Sequence, residues 1–208
     1  MTTVEEAVQA VVARLGGLAP RGRRLMVALA GAPGAGKSTL AEAVVAALGP
    51  QAALMPMDGF HLDDSVLLRK GLLPRKGAPE TFDAGGFAAT LGRVAAGEHV
   101  YVPVFDRSRE IAIAGVQEIR PEVTVAVVEG NYLCLSEAPW SALASLWDLS
   151  VFLDVPVPEL ERRLLKRWAG FGYSPGKARE KAEGNDIPNA RRVALGRGPV
   201  DLVLPWSG

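Results

Sequence analysis

A single cysteine, Cys134, is present in the 208 residues. An intrachain disulfide is therefore excluded, and a reducing, cytoplasmic location is expected. Long apolar runs are missing too: nowhere do eighteen apolar residues follow one another, so no membrane-spanning helix and no membrane partner are expected. Glu5 and Glu6 stand where a secretory leader would be positive, which argues against a leader. Neither sign of charge prevails, because 23 Lys and Arg balance 23 Asp and Glu. Without a basic field there is nothing to hold a nucleic-acid backbone, and the expected partner is a small molecule. Repeats and low-complexity blocks are absent as well, and the 23 glycines and 15 prolines are scattered through the loops. Residues 1–208 are accordingly read as one domain, long enough to bury a full core without staples.

What is present is a phosphate-binding pattern in the right setting. Gly31-Ala32-Pro33-Gly34-Ala35-Gly36-Lys37-Ser38-Thr39 fits G-x-x-x-x-G-K-[ST]. It is preceded by the apolar run Leu25–Ala30, which has the look of a buried strand. It is followed by Thr39–Leu48, where Leu40, Val44, Val45 and Leu48 fall at helical spacing before Gly49-Pro50. Glycines let such a loop turn tightly and aim successive N–H groups at an anion lying at the positive end of a helix. In that reading residues 31–39 bind nucleotide, Lys37 bridges the β- and γ-phosphates, and the Ser38 hydroxyl is a ligand of Mg²⁺.

Around the motif the periodicity alternates between strand and helix. Apolar strand-like runs recur at 25–30, 52–57, 123–128, 149–154 and 200–204, an α/β pattern. The run 123–128 is apolar almost throughout and β-branched, as expected for a central parallel strand covered on both faces. Thr3 and Glu6 form a capping-box signature ahead of the apolar stripe Val4, Val8, Val11, Val12 and Leu15. Leu160, Leu164, Leu165 and Trp168 give a helix over 159–168. Residues 98–119 look like two strands around a charged turn, a hairpin projecting from the sheet.

In a parallel sheet the reactive crevice lies at the carboxyl ends of the strands, and two carboxylates fall there. Asp58 opens Asp58-Gly59-Phe60-His61 after the second run, and Glu129 opens Glu129-Gly130-Asn131 after the third. Asp58 is either a turn aspartate or a group that orients a substrate hydroxyl and accepts its proton. Glu129 is either a salt-bridged structural glutamate or the acid that holds Mg²⁺ through water. Beside a phosphate loop the chemical reading is adopted for both. His61 is either a loop residue or a substrate contact. Arg75 and Lys76, with Arg69 and Lys70, form a basic loop that is either solvated or a clamp for an anionic or polyhydroxyl substrate. Asp106, Arg107 and Arg109 at the hairpin turn are a polar surface or a lid over the acceptor. Arg163 and Arg167, at i, i+4 spacing, are a helix's solvent face or the mobile charge over a transferring phosphoryl group. The glycines and proline of 169–176 supply a hinge for such a lid.

These motifs together resemble the P-loop kinases of the uridine kinase, phosphoribulokinase and bacterial pantothenate kinase group, across nearly the whole chain. The resemblance is carried by Gly31–Thr39, Met57–His61, Arg75–Asp83, Pro103–Asp106 and Val128–Tyr132. Within the group the chain is most similar to small bacterial proteins labelled as kinases of fructose transport systems, which share Gly184–Ala190. The resemblance implies a P-loop NTPase fold: a five-stranded parallel sheet flanked by helices, a hairpin at about 98–119 and a helical lid at about 160–190. It implies ATP as donor, Mg²⁺ as cofactor on Ser38 and Glu129, and a small-molecule hydroxyl as acceptor. It makes Asp58 the base and Arg163 or Arg167 the lid arginine, and it places Asn131, Asn185 and Asp186 on the acceptor side. A homodimer is compatible with it. Three departures narrow the acceptor. The hairpin turn lacks the histidine expected of uridine kinases, the chain is shorter than bacterial pantothenate kinases, and no second cysteine serves the thiol regulation of phosphoribulokinase. The rival reading is a P-loop NTPase that acts as a nucleotide switch or sensor. It lacks a guanine-specifying N-K-x-D, and Asp58 with the basic loop and hairpin suits an acceptor pocket better.

Overall fold

The computed structural model describes residues 2–18, 22–170 and 172–206. Phe171, within the glycine-rich hinge segment, lies outside the described residues. The chain opens with helix α1 (Val4–Gly16), whose capping box forms as its sequence predicts. The Glu6 amide donates to Thr3 Oγ1 at 3.2 Å and the Thr3 amide to Glu6 Oε2 at 2.8 Å. It buries Ala7, Val8, Val11 and Leu15, with Val4 and Val12 only partly covered. Strand β1 (Leu25–Gly31), the phosphate loop and helix α2 (Lys37–Leu48) follow. Strand β2 (Ala52–Pro56) leads into a 3-10 turn at 57–60, then the short helix α3 (Asp64–Arg69) and helix α4 (Ala84–Ala95). Strands β3 (Val100–Asp106) and β4 (Ile111–Ile119) make the hairpin, and strands β5 (Val125–Gly130) and β6 (Leu149–Asp154) return to the sheet. Helices α5 (Val157–Gly170) and α6 (Pro175–Lys181), a π-helical turn at 182–186 and helix α7 (Ile187–Gly196) follow, over the stretch expected to be a lid, before strand β7 (Leu202–Pro205).

The five sheet strands are all parallel, in the order β2-β5-β1-β6-β7, and β3 and β4 pair apart as an antiparallel ribbon. The third strand-like run thus becomes β5, an interior strand beside the central β1. Every residue of β5 is buried, as are all residues of β1 after Leu25. Continuous burial of this kind is what helices on both faces of a parallel sheet impose.

The register positions the chemistry. Leu29 and Pro56 both lie opposite Glu129, and Ala30 lies opposite Gly130. The carboxyl ends of β1, β5 and β2 therefore finish level, and the phosphate loop, Glu129 and the turn carrying Asp58 emerge at one edge. At the other edge the buried Arg24 side chain donates to the carbonyls of Val123, Val94 and Arg120 at 2.7 Å each. It ties the start of β1 to the end of α4 and to the loop before β5. The lone cysteine is partly buried, and burial pushes its thiol up to about 12, which favours the protonated form.

Candidate active site

A cavity of about 500 Å³ opens at the carboxyl edge of the sheet. Its floor is the phosphate loop. Gly34 and Gly36 take φ of +81° and +92°, and Gly36 is the N-cap of α2 with no side-chain cap. The first N–H groups of the helix are thus left for an anion. Pro33, Gly34, Gly36, Lys37, Ser38 and Thr39 line the cavity, while Ala32 and Ala35 are buried and, with Gly31, lie outside its lining. A side chain at Gly36 would bring Cβ within 2.9 Å of Trp206 Nε1. The loop therefore rests on the last described residue, a contact with no local sequence signal.

Lys37 is the buried cation of the floor. Its Nζ donates to the Ala32 carbonyl at 3.1 Å and to Asn131 Oδ1 at 2.6 Å. Burial lowers its pKa, while the carboxylates of Glu129 and Asp58 pull it back up. Ser38 Oγ donates to Glu129 Oε1 at 3.2 Å. Burial pushes the Glu129 carboxyl up, against the pull of Lys37. A hydroxyl beside a carboxylate at the end of a phosphate loop is a hard-oxygen donor set, the chemistry that suits Mg²⁺. No group of three or more His, Cys, Asp or Glu that could hold a metal ion occurs among the described residues.

Opposite the loop stands the turn 57–60 with Asp58. It packs against the hairpin so closely that a Cβ on Gly59 would sit 2.2 Å from the Pro103 carbonyl oxygen. Only glycine permits that approach. The contact brings the hairpin tip to the turn, where Arg107 Nη2 donates to Asp58 Oδ2 at 2.8 Å. His61 lies between the rings of Phe82 and Phe105, at 4.1 and 4.5 Å, with Nδ1 2.8 Å from the Asp58 carbonyl. Burial lowers its pKa and keeps it neutral. Lys76 Nζ donates to Asp64 Oδ1 and to the Glu110 carbonyl, at 2.6 Å each, which pins the hairpin tip.

The third wall comes from α5, the π-helical turn and α7. Arg167, Trp168, Asp186 and Asn189 line the cavity, and Trp168 Nε1 donates to Asp186 Oδ2 at 2.7 Å. Burial pushes the Asp186 carboxyl up, opposed by that hydrogen bond and by the charge of Arg167.

Of the residues singled out from the sequence, Lys37, Ser38, Asp58, His61, Lys76, Arg107, Glu129, Asn131, Arg167 and Asp186 share this one cavity. Besides Gly31, Ala32 and Ala35 of the loop, Arg75, Asp106, Asn185 and Arg163 stand outside its lining, as do Arg69, Lys70 and Arg109. Arg75 pairs with Glu80 at 3.5 Å, and Asp106 binds Ser108 and Arg109, which hold its carboxyl well below the usual carboxylate range. Asn185 donates to the Lys76 carbonyl at 2.7 Å. Arg163 donates to Glu159 at 2.7 Å and reaches the Gly34 and Ala35 carbonyls at 3.4 Å, so it braces the loop. Trp168, Asn189 and Trp206 were missed: Trp168 reads as one more apolar position of a helix, Asn189 as one more polar residue of the 184–190 segment, and Trp206 meets Gly36 from the far end of the described chain.

Comparison with known proteins decides the family. No family model matches the chain. A solved structure from Silicibacter sp. TM1040, described as a "putative fructose transport system kinase", superposes with a TM-score of 0.91 at 47% identity, over 99% of this chain and 100% of that one. YggC of Escherichia coli (strain K12), itself uncharacterized, is 33% identical over 89% of this chain and 79% of its own length. A "putative uridine kinase" of Schizosaccharomyces pombe is 30% identical over 88% of this chain and 83% of its own length. The chain belongs to the P-loop kinases of the uridine kinase group. This kinase therefore acts on a small molecule, and its sheet order, hairpin and phosphate loop are those that the family's motifs imply. No described helix of the kinase is long and apolar enough to cross a membrane.

Proposed function

We propose that this kinase transfers the γ-phosphoryl group of ATP to a hydroxyl of a small molecule, with Asp58 as the general base. One observation carries the reading: a strand-end carboxylate with no structural duty in the core faces the phosphate loop across a single cavity. Against the alternative of a turn cap, the Asp58 carboxylate reaches Arg107 and caps no helix.

The loop amides and Lys37 hold the nucleotide phosphates. Asp58 takes the proton of the acceptor hydroxyl as the hydroxyl oxygen bonds to the γ-phosphorus. The bond from that phosphorus to the bridging oxygen breaks, and ADP leaves with the electron pair. Lys37 and Arg167 set positive charge where negative charge develops, which is the largest contribution a protein makes to such a transfer. Ser38 and Glu129 would hold Mg²⁺, whose charge would offset that of the phosphates. Closure of the lid region over both substrates excludes water, which would otherwise compete with the acceptor.

The test is acceptor-dependent ADP release by the purified protein with Mg-ATP, on a panel of nucleosides, sugars and hydroxy acids, with mass spectrometry of the phosphorylated product. The expected result is one class of acceptor turned over by wild type, with Asp58→Asn reducing turnover far more than ATP binding. ADP release that no hydroxyl compound changes would replace the kinase reading by a nucleotide switch.

A further inference from the structure

Asn189 is 2% exposed and lines the cavity from α7. The sense in which its side-chain amide points is set by a relay of three groups. The Lys76 carbonyl can only accept, so Asn185 must turn Nδ2 toward it, and does so at 2.7 Å. Asn185 thereby presents Oδ1 to Asn189, which answers with its own Nδ2 at 3.1 Å. The free end of the relay is Asn189 Oδ1, buried and without a hydrogen-bond partner among the described residues. An amide that could rotate would present whichever end a ligand preferred. This one cannot, because a backbone carbonyl far away in sequence fixes it.

A buried acceptor left unmatched costs stability that a donor restores. The neighbouring wall residue repeats the pattern, since the Asp186 carboxylate lines the same cavity and already accepts from Trp168 Nε1 at 2.7 Å. Ionised, it has only acceptors to offer. Asn189 Oδ1 and the Asp186 carboxylate thus put two hydrogen-bond acceptors on this wall, beside the guanidinium of Arg167.

We infer that Asn189 Oδ1 receives a hydrogen bond from a second hydroxyl of the phosphoryl acceptor, that the acceptor is a neutral polyhydroxyl compound, and that Asn185 is the positioning residue holding the amide in that sense. This rests on the kinase reading above. A carboxylate placed against Asn189 Oδ1 would set acceptor against acceptor. A site built to take a hydroxyl strongly rejects a ligand that cannot donate to it.

The experiment measures kcat/KM by ADP release with D-fructose and D-ribose as neutral polyols, and D-glycerate and pantothenate as carboxylates, in wild type, Asn189→Leu and Asn185→Ala. Wild type is expected to favour a polyol over both carboxylates by about tenfold or more, and Asn189→Leu to lower the polyol value by about tenfold. Asn185→Ala frees the amide to turn its NH₂ to a carboxylate, so the preference should shrink to about threefold or less with the KM for ATP unchanged. A structural role alone would not move that ratio. Should Asn189→Leu fail to fold, judged by thermal melting, the half-buried Asn185→Ala carries the test. Preference of wild type for a carboxylate, or an unchanged ratio in Asn185→Ala, overturns the inference and leaves the kinase reading standing. ADP release with none of the four also overturns the inference, and the kinase reading then stands or falls on the wider panel of nucleosides, sugars and hydroxy acids.

Discussion

Arg107 joins the hairpin tip to the turn that follows β2 by donating from Nη2 to Asp58 Oδ2 at 2.8 Å. The guanidinium side of the pair is 58% exposed and the carboxylate side 22%. A pair this open to water contributes about 0–1 kcal/mol. It therefore orders the turn without locking it. Arg107→Ala is expected to change unfolding free energy by less than about 1 kcal/mol in denaturant titrations. Its kcat/KM for the acceptor should fall by about tenfold while the Kd for ATP holds, because the residue organises the acceptor end alone.

Lys37→Met removes the buried charge and keeps most of the side chain's volume. Turnover is expected to fall by about a hundredfold or more, the usual cost of losing a strong electrostatic contact in a transition state. Folding should survive, since the variant no longer desolvates an ammonium that burial already disfavours. Steady-state rates alongside circular dichroism check both halves.

Glu129→Gln should trade activity for stability. Burial raises the pKa of Glu129 above its ordinary 4.5. A carboxyl whose folded pKa is raised contributes its stability below the unfolded pKa, and that contribution is lost as pH rises through the folded value. At neutral pH the wild-type protein therefore carries the cost of a buried charge that glutamine lacks. Without ligand, Glu129→Gln is expected to have the higher Tm at pH 7 and to lose that advantage near pH 4, while the Mg²⁺ needed for half-maximal activity rises. A lower Tm at pH 7 would show that the attraction of Lys37 outweighs desolvation.

Gly59→Ala tests the seam between hairpin and turn. A Cβ there would lie 2.2 Å from the Pro103 carbonyl oxygen, backbone that cannot swing aside like a side chain. Overpacking of this kind costs about 1–3 kcal/mol. Because Asp58 is the neighbouring residue, activity should fall further than stability, and the two are compared by melting and by kcat at a temperature where the variant is folded.

Arg167→Ala and Arg163→Ala are expected to separate two roles that the helix spacing runs together. Arg167 lines the cavity, and its charge is felt at Lys37 and at Asp186. Arg163 touches Glu159 and the loop carbonyls. The first variant should lower kcat by about tenfold or more, with a smaller change in the KM for ATP. The second should act mainly on the KM for ATP.

Much of this was legible in the chain itself, because it depends on neighbours in sequence. The capping box at Thr3 and Glu6, the apolar run of β1, the phosphate loop and the periodicity of α2 are local patterns, and each formed as read. Asp58 and Glu129 could be placed at one edge because parallel strands with crossover helices bring their carboxyl ends together. Even so, Asp58 lies two residues beyond β2, in a turn held by the hairpin.

Only the tertiary structure decided which polar groups meet. Arg163 and Arg167 are equivalent by spacing, yet the seat of α5 against the phosphate loop turns one to the loop carbonyls and leaves the other in the cavity. The pairs Arg107–Asp58, Trp168–Asp186 and Asn185–Lys76 join residues 49, 18 and 109 positions apart. Periodicity reports which face of an element is apolar and carries no information on which distant donor faces which acceptor. That pairing is set by how the hairpin and the helices α5 to α7 pack, and with it the direction in which Asn189 points.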